Sequence, residues 1–217
     1  LLILVAPSFA AKVDTLLVNS PSMNKDVQVV VVTPDAALGK KAVACPVIYL
    51  LHGYGGNSKT WIGVKPDLPQ IADEKGIIFV CPDGKNSWYW DSPKDPSYRY
   101  ETFVSSELVK YIDGHYKTIA DRKGRAITGL SMGGHGAMWN AIRHKDTFGA
   151  GGSTSGGVDI RPFPLNWDMS KQLGEFAYNK KVWDEHTVIN QIDKIENGDL
   201  AIIIDCGEAD FFLNVNK

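Results

Sequence analysis

The sequence predicts an α/β fold, one domain built on a mainly parallel central sheet with helices on both faces. Three observations carry that expectation. Short unbroken apolar runs, PVIYLL at 46–51, GIIFVCP at 76–82 and LAIIID at 200–205, have the length and composition of strands buried on two faces. Segments with helical spacing of apolar residues stand between such runs. The chain has 217 residues, 44% of them hydrophobic and 22% charged, which suits one packed domain and excludes a disordered or fibrous chain.

Residues 1–11, LLILVAPSFAA, are almost wholly apolar and end in small residues. They predict the remnant of an export leader, with Ser8 and Ala10 at the small positions before a cut ahead of Ala11. A buried first strand is the alternative. The start lacks an initiating Met and a positive segment, so it reads as clipped, and 12–217 read as the domain. From Val13, alternation and a Val-rich run predict two strands around the turn SPSMNK, the second ending at Pro34. The run PVIYLL then delivers the glycine-rich loop HGYGG. PDLPQIADEKG reads as a short helix closed by Gly76, and GIIFVCPDG as the next buried strand.

Residues 87–100, SWYWDSPKDPSYRY, hold two Trp, three Tyr and two Pro without periodicity and predict a long aromatic loop. ETFVSSELVKYIDGHY places Phe103, Leu108, Tyr111 and Ile112 on one helical face. RAITGLS returns as a strand, MGGHGAMWNAIRHK as a helix, and FGAGGSTSGG as a small-residue strand and loop. The stretch 158–197 reads as helix and loop, a cap or an insertion, before the buried strand LAIIID.

Composition and charge exclude several classes of function. The formal net charge is −2 and no dense Lys/Arg run occurs, so nucleic acid is not an expected partner. Cys45, Cys81 and Cys206 form an odd set without CxxC spacing, which predicts at least one free thiol and neither a disulfide scaffold nor a zinc site. No stretch approaches the roughly 20 apolar residues of a membrane span. No motif calls for a cofactor.

The strongest motif is Gly129-Leu130-Ser131-Met132-Gly133, a GxSxG between a strand and a helix. A serine that attacks a carbonyl must stand clear on a sharp strand-to-helix bend, where crowding two residues either side favours glycine. Ser131 is therefore the candidate nucleophile. The oxyanion that forms needs amide donors, each worth about 2.7 to 4 kcal/mol. The backbone N–H groups of Met132, opening the helix, and of Tyr54, in HGYGG, are the candidates. An acid should follow a later strand. Asp205, Glu208 and Asp210 are available, and Asp210 is preferred because it falls in the loop, the alternative being a loop-capping aspartate. No histidine follows Asp210. His52 reads as structural, His135 as pointing along its helix, and His115, His144 and His186 as solvated or locally packed, so none of the five is a convincing base. Trp88, Tyr89 and Trp90 are candidate substrate-binding aromatics, with a packed loop as the alternative.

GLSMGGHGA, LLHGYGG, WYWDSP with YRYETFVSSEL, and DCGEADFF together resemble the esterase D-like family of α/β-hydrolases. Its members include bacterial feruloyl and acetylxylan esterases, tributyrin esterases, S-formylglutathione hydrolases and mycolyltransferases. The resemblance runs from about Val13 onward. It implies the α/β-hydrolase fold, a Ser131 nucleophile, an Asp210 acid and donors at Met132 and Tyr54. Family members continue past the acid through a helix, a strand and a loop bearing the histidine. The expectation is thus a sheet lacking its last strand and C-terminal helix, in a chain that is a fragment at both ends, with LAIIID left at an edge liable to association.

The implied function is a secreted or periplasmic serine carboxylesterase acting on small esters or on acetyl or feruloyl esters of plant polysaccharide. A non-catalytic ligand-binding chain and an acyltransferase to a sugar hydroxyl are the rivals; intracellular thioester hydrolysis is disfavoured by the leader.

Overall fold

The computed structural model describes residues 11–217. The segment read as an export leader, Ala11 excepted, lies outside the described residues. Seven strands form one sheet in the order β1-β2-β4-β3-β5-β6-β7. β1 (Lys12–Ser20) and β2 (Lys25–Thr33) make the expected hairpin, and β2 runs antiparallel to β4 (Ile78–Pro82). β3 (Val47–Leu51) lies parallel to β4 and to β5 (Arg125–Gly129). β6 (Ala150–Thr154) and β7 (Ala201–Asp205) extend the parallel part.

Alternation along β2 explains why both faces need cover. Val29 and Val31 enter one core with Val47, Tyr49, Leu51, Val80 and Ile127, whereas Val30 and Val32 enter another with Leu50, Phe79 and Cys81. The second core is closed by α1 (Thr60–Val64) and α2 (Leu68–Lys75), through Leu68 and Ala72 in particular. α2 ends where Gly76 adopts φ 64°, as its sequence position suggests. The first core is closed by α3 (Tyr100–Thr102), α4 (Leu108–His115) and α5 (Met132–Arg143). Two short helices, α6 (Met169–Leu173) and α7 (Lys180–Glu185), lie in the stretch read as a cap. Between α3 and α4 one turn, Phe103–Glu107, is wound as π-helix, and Phe103, Leu108 and Ile112 are buried while Tyr111 is only half-buried.

One expectation is corrected. The sequence predicts LAIIID as a buried strand, yet Ile203 is 74% exposed and Ile202 and Ile204 are exposed beside it. The cause is position: β7 pairs with β6 alone among the described residues, and a cavity of about 240 Å³ lined by Ile48, Ala126, Thr128, Gly152 and Ile203 opens on this part of the sheet face. All three cysteines are free, Cys45 and Cys81 buried. No helix among the described residues is long and apolar enough to cross a membrane.

Two buried groups make the fold acid-sensitive. Burial lowers His135 from 6.5 to about 4, so the unfolded chain takes up a proton that the folded chain resists. The stability this confers is present above about pH 6.5 and is lost as pH falls toward 4. Burial alone would raise Glu101, but hydrogen bonds from His144, Arg143 and Trp139 outweigh it and hold the carboxyl at about 2, against 4.5 ordinarily. Its contribution is present above about pH 4.5 and is lost as pH falls through 2. Each shift is on the order of 3 kcal/mol. Urea unfolding between pH 7 and pH 3 should show stability falling across both windows, and Glu101→Gln should flatten only the lower one; a pH-independent stability would contradict this.

Candidate active site

β5 stops at Gly129, and two residues later the chain enters α5. Between them Ser131 adopts φ 57°, ψ −116°, a left-handed conformation that costs an L-residue about 1–3 kcal/mol. Neighbouring backbone holds it there: the Ser131 amide donates to the Thr154 carbonyl at 3.0 Å, and the His135 amide donates to the Ser131 carbonyl at 3.0 Å. The flanking glycines are required by close approach. A Cβ on Gly133 would stand 2.2 Å from the Leu51 carbonyl oxygen, and one on Gly129 would stand 2.3 Å from that of Gly133. The bend expected from the motif is therefore present. Ser131 is half-buried, and its hydroxyl has no hydrogen bond among the described residues.

The loop HGYGG continues directly from β3, next to that bend. A Cβ on Gly53 would lie 3.6 Å from the Ser131 Cβ. Among the described residues, neither the Met132 amide nor the Tyr54 amide donates to any acceptor. The loop is held elsewhere: the Gly55 amide donates to Asn86 Oδ1 at 2.9 Å, and the Tyr54 phenol donates to Asp168 Oδ2 at 2.7 Å. That donation raises the Tyr54 phenol above its ordinary value and lowers the Asp168 carboxyl.

Asp210 stands in the loop after β7, as expected. Its Oδ1 accepts the Phe212 amide at 2.7 Å, a loop-capping arrangement, and no imidazole reaches it among the described residues. Asp205 remains at the strand end, its Oδ2 accepting the Thr154 hydroxyl at 3.2 Å.

The histidines are all engaged elsewhere. His52 bonds Gly53 and Gly84, His135 bonds Gly157 and Trp90, His144 meets Glu101, and His115 and His186 bond carbonyls one helical turn back. None bonds the Ser131 hydroxyl among the described residues.

Trp88, Tyr89 and Trp90 require a correction as substrate-binding residues. They are 1%, 0% and 0% exposed, so no sugar or phenolic ring can stack on them. They form a wedge beneath the site instead. The Tyr89 ring packs against Gly84 and Gly136 and its phenol donates to the His52 carbonyl at 3.2 Å, while Trp90 Nε1 donates to His135 Nε2 at 2.9 Å. The aromatic surface that is open lies on other residues. Trp167 stacks on Phe211 with ring centroids 5.6 Å apart, and Phe211 is 64% exposed. Trp167 neighbours Asp168, the partner of Tyr54, and Phe211 follows Asp210. The aperiodic 158–197 stretch carries no signal for Trp167, although DFF sits beside the acid in the sequence. A larger cavity, about 1180 Å³, opens at the far end of α5 around Glu101, Arg143, His144 and His186. Ser131 does not line it, and its central charges are already paired with one another.

The family model described as "Putative esterase" matches residues 20–217. The chain belongs to this esterase family. It is similar to Esterase Rv1288 of Mycobacterium tuberculosis (strain ATCC 25618 / H37Rv), 27% identical over 194 residues that cover 79% of this chain and 42% of the relative. It is also similar to an acetyl esterase of Caldicellulosiruptor saccharolyticus, 24% identical over 183 residues covering 78% and 68%. A solved ferulic acid esterase superposes with TM-score 0.79 at 29% identity, covering 96% of this chain and 83% of that one. The esterase fold is thus the α/β-hydrolase fold expected from the sequence. The chain spans only 42% of the length of the Mycobacterium tuberculosis relative.

The strained bend has a measurable signature. Because glycine accepts a positive φ and alanine does not, Ser131→Gly should be more stable than Ser131→Ala by about 1 kcal/mol in urea unfolding, even after glycine's greater unfolded-state entropy. Equal stabilities, or a more stable alanine variant, would remove the case for strain.

Proposed function

We propose that this chain is a serine carboxylesterase in which Ser131 forms an acyl-enzyme. The Ser131 oxygen attacks the ester carbonyl carbon, and the tetrahedral oxyanion is received by the amides of Met132 and Tyr54. The carbon–oxygen bond to the alcohol then breaks, and the alcohol leaves with the proton that the Ser131 hydroxyl gave up. Water attacks the acyl carbon, releasing the acid and restoring the hydroxyl. Asp210 is the acid that would orient a base, although among the described residues no imidazole reaches it and its Oδ1 accepts the Phe212 amide. The observation that carries the reading is the left-handed Ser131 standing beside two amides that have no acceptor among the described residues.

The family supports ester hydrolysis, and the names of two relatives, acetyl esterase and ferulic acid esterase, support acetyl or feruloyl groups as the acyl class. The Trp167–Phe211 pair would favour a phenolic acyl group or a sugar ring. Plant polysaccharide as the alcohol, and export to the periplasm or exterior, draw on the apolar leader of residues 1–11.

A second reading, a chain that binds esters without turning them over, is favoured by the absence of an imidazole at Ser131 among the described residues. Loss of a triad histidine removes about six orders of magnitude in kcat and leaves roughly 10³- to 10⁴-fold over water from the oxyanion donors and binding. The two readings separate in one measurement. The 217-residue chain should hydrolyse p-nitrophenyl acetate at a rate within that residual range above buffer and become acetylated on Ser131, whereas Ser131→Ala, which keeps the oxyanion donors, should form no acetyl-enzyme. A wild-type chain that forms no acetyl-enzyme on Ser131 would favour the binding-only reading. Transfer to a sugar hydroxyl uses the same residues, and an acylated alcohol among the products would identify it.

A further inference from the structure

The HGYGG loop takes its shape from a ring that stands behind it. His52 is 1% exposed. Its Nδ1 lies 2.7 Å from the Gly53 carbonyl oxygen, which can only accept, so Nδ1 carries the proton. Its Nε2 receives the Gly84 amide at 2.9 Å, so Nε2 is bare. The two contacts select the neutral Nδ1–H tautomer. Asp83 Oδ1 is 3.7 Å from Nε2, too far to compete for a nitrogen already occupied by an amide.

The Gly53 carbonyl belongs to the same peptide unit as the Tyr54 N–H. In a planar trans peptide these two groups point in opposite directions, so fixing one aims the other. The carbonyl is fixed twice, by His52 Nδ1 and by the Gly56 amide at 3.0 Å. The loop behind holds on at two further points, Tyr89 to the His52 carbonyl and Asn86 to the Gly55 amide.

We infer that His52 is a positioning residue: its imidazole bridges Gly84 and Gly53 and thereby aims the Tyr54 amide at the oxyanion. This rests on the reading of Ser131 as nucleophile. His52 touches no substrate and moves no proton; it transmits the rigidity of the 83–89 loop to one donor of the site. A misaimed donor weakens the transition state more than the bound ester, so the effect falls on kcat rather than on KM.

The test compares p-nitrophenyl acetate hydrolysis by the wild-type chain, Ser131→Ala, His52→Gln and His52→Asn. Glutamine can offer its carbonyl to Gly84 but leaves the Gly53 carbonyl without its ring donor; asparagine can place an N–H near the Nδ1 position. His52→Gln should lower kcat by about 10- to 100-fold with KM within about twofold, and His52→Asn should recover most of that loss. Turnover that depends on Ser131 but is unchanged in His52→Gln overturns this inference and leaves the esterase reading standing. A wild-type chain that neither exceeds the buffer rate nor forms an acetyl-enzyme on Ser131 overturns both. A readout independent of turnover and of variant folding is the ¹⁵N spectrum of the wild-type ring, which should show a protonated Nδ1 and a bare Nε2; the opposite tautomer overturns the inference.

Discussion

The first turn of α5 comes within contact distance of the end of β3, and the rest of the site depends on that approach. In the parallel pairing of β3 with β5, Leu51 lies opposite Gly129, so the two strands end at the same height. The segments that leave the two strands therefore share one small volume, HGYGG on one side and the Ser131 bend on the other. Carbonyl oxygens of Leu51 and His52 occupy the space a side chain on Gly133 would need. The absence of a side chain there lets the helix start close enough to bring its first amide beside the serine. Register in the sheet thus sets the distance between the Ser131 bend and the HGYGG loop before any side chain is considered.

Behind this front lies an aromatic wedge that does for the loops what the sheet does for the strands. Trp88 and Tyr89 both take positive φ, near 56° and 61°, an unfavourable choice for bulky residues. The surroundings over-determine it. Tyr89 fills the space opposite Gly84 and Gly136, Trp88 packs at 5.6 Å on Trp90, and Trp90 donates to the buried His135. Burial of three large rings offsets the backbone strain, since each complete burial contributes on the order of 2 kcal/mol or more. The result is a rigid block joining the loop after β4, the loop after β3 and the helix that carries Ser131.

How much of this is legible in the sequence depends on the kind of constraint each signal encodes. The runs PVIYLL and GIIFVCP announce strands because burial on both faces demands continuous apolar residues, and GLSMG announces the bend because its glycines are imposed by local crowding. Both are one-dimensional signals. The aromatic loop misleads because composition records that Trp88, Tyr89 and Trp90 are large and apolar but not which way a left-handed backbone turns them. LAIIID misleads for a related reason: an apolar run states what a strand needs for cover, and the edge position expected for a sheet without its last strand is what leaves β7 uncovered. His52 is legible only as structural and Asn86 not at all, because a single ring or amide holding a loop leaves no periodicity or spacing behind.

The histidines complete the physical picture. A base for Ser131 must have a lone pair aimed at the hydroxyl and an affinity for protons near neutral pH. His135, four residues beyond the serine, fails on both counts: its Nε2 lone pair is taken by Trp90, and burial has pushed its pKa down to about 4. His52, at the mouth of the oxyanion loop, fails on the first, because Gly84 occupies its lone pair. Both rings are therefore spent on holding neighbouring backbone in place. Neither ring reaches the hydroxyl of Ser131, which has no hydrogen bond among the described residues. On the proposed reading, the stabilisation of negative charge is supplied by the backbone itself, before any group that removes the proton is considered.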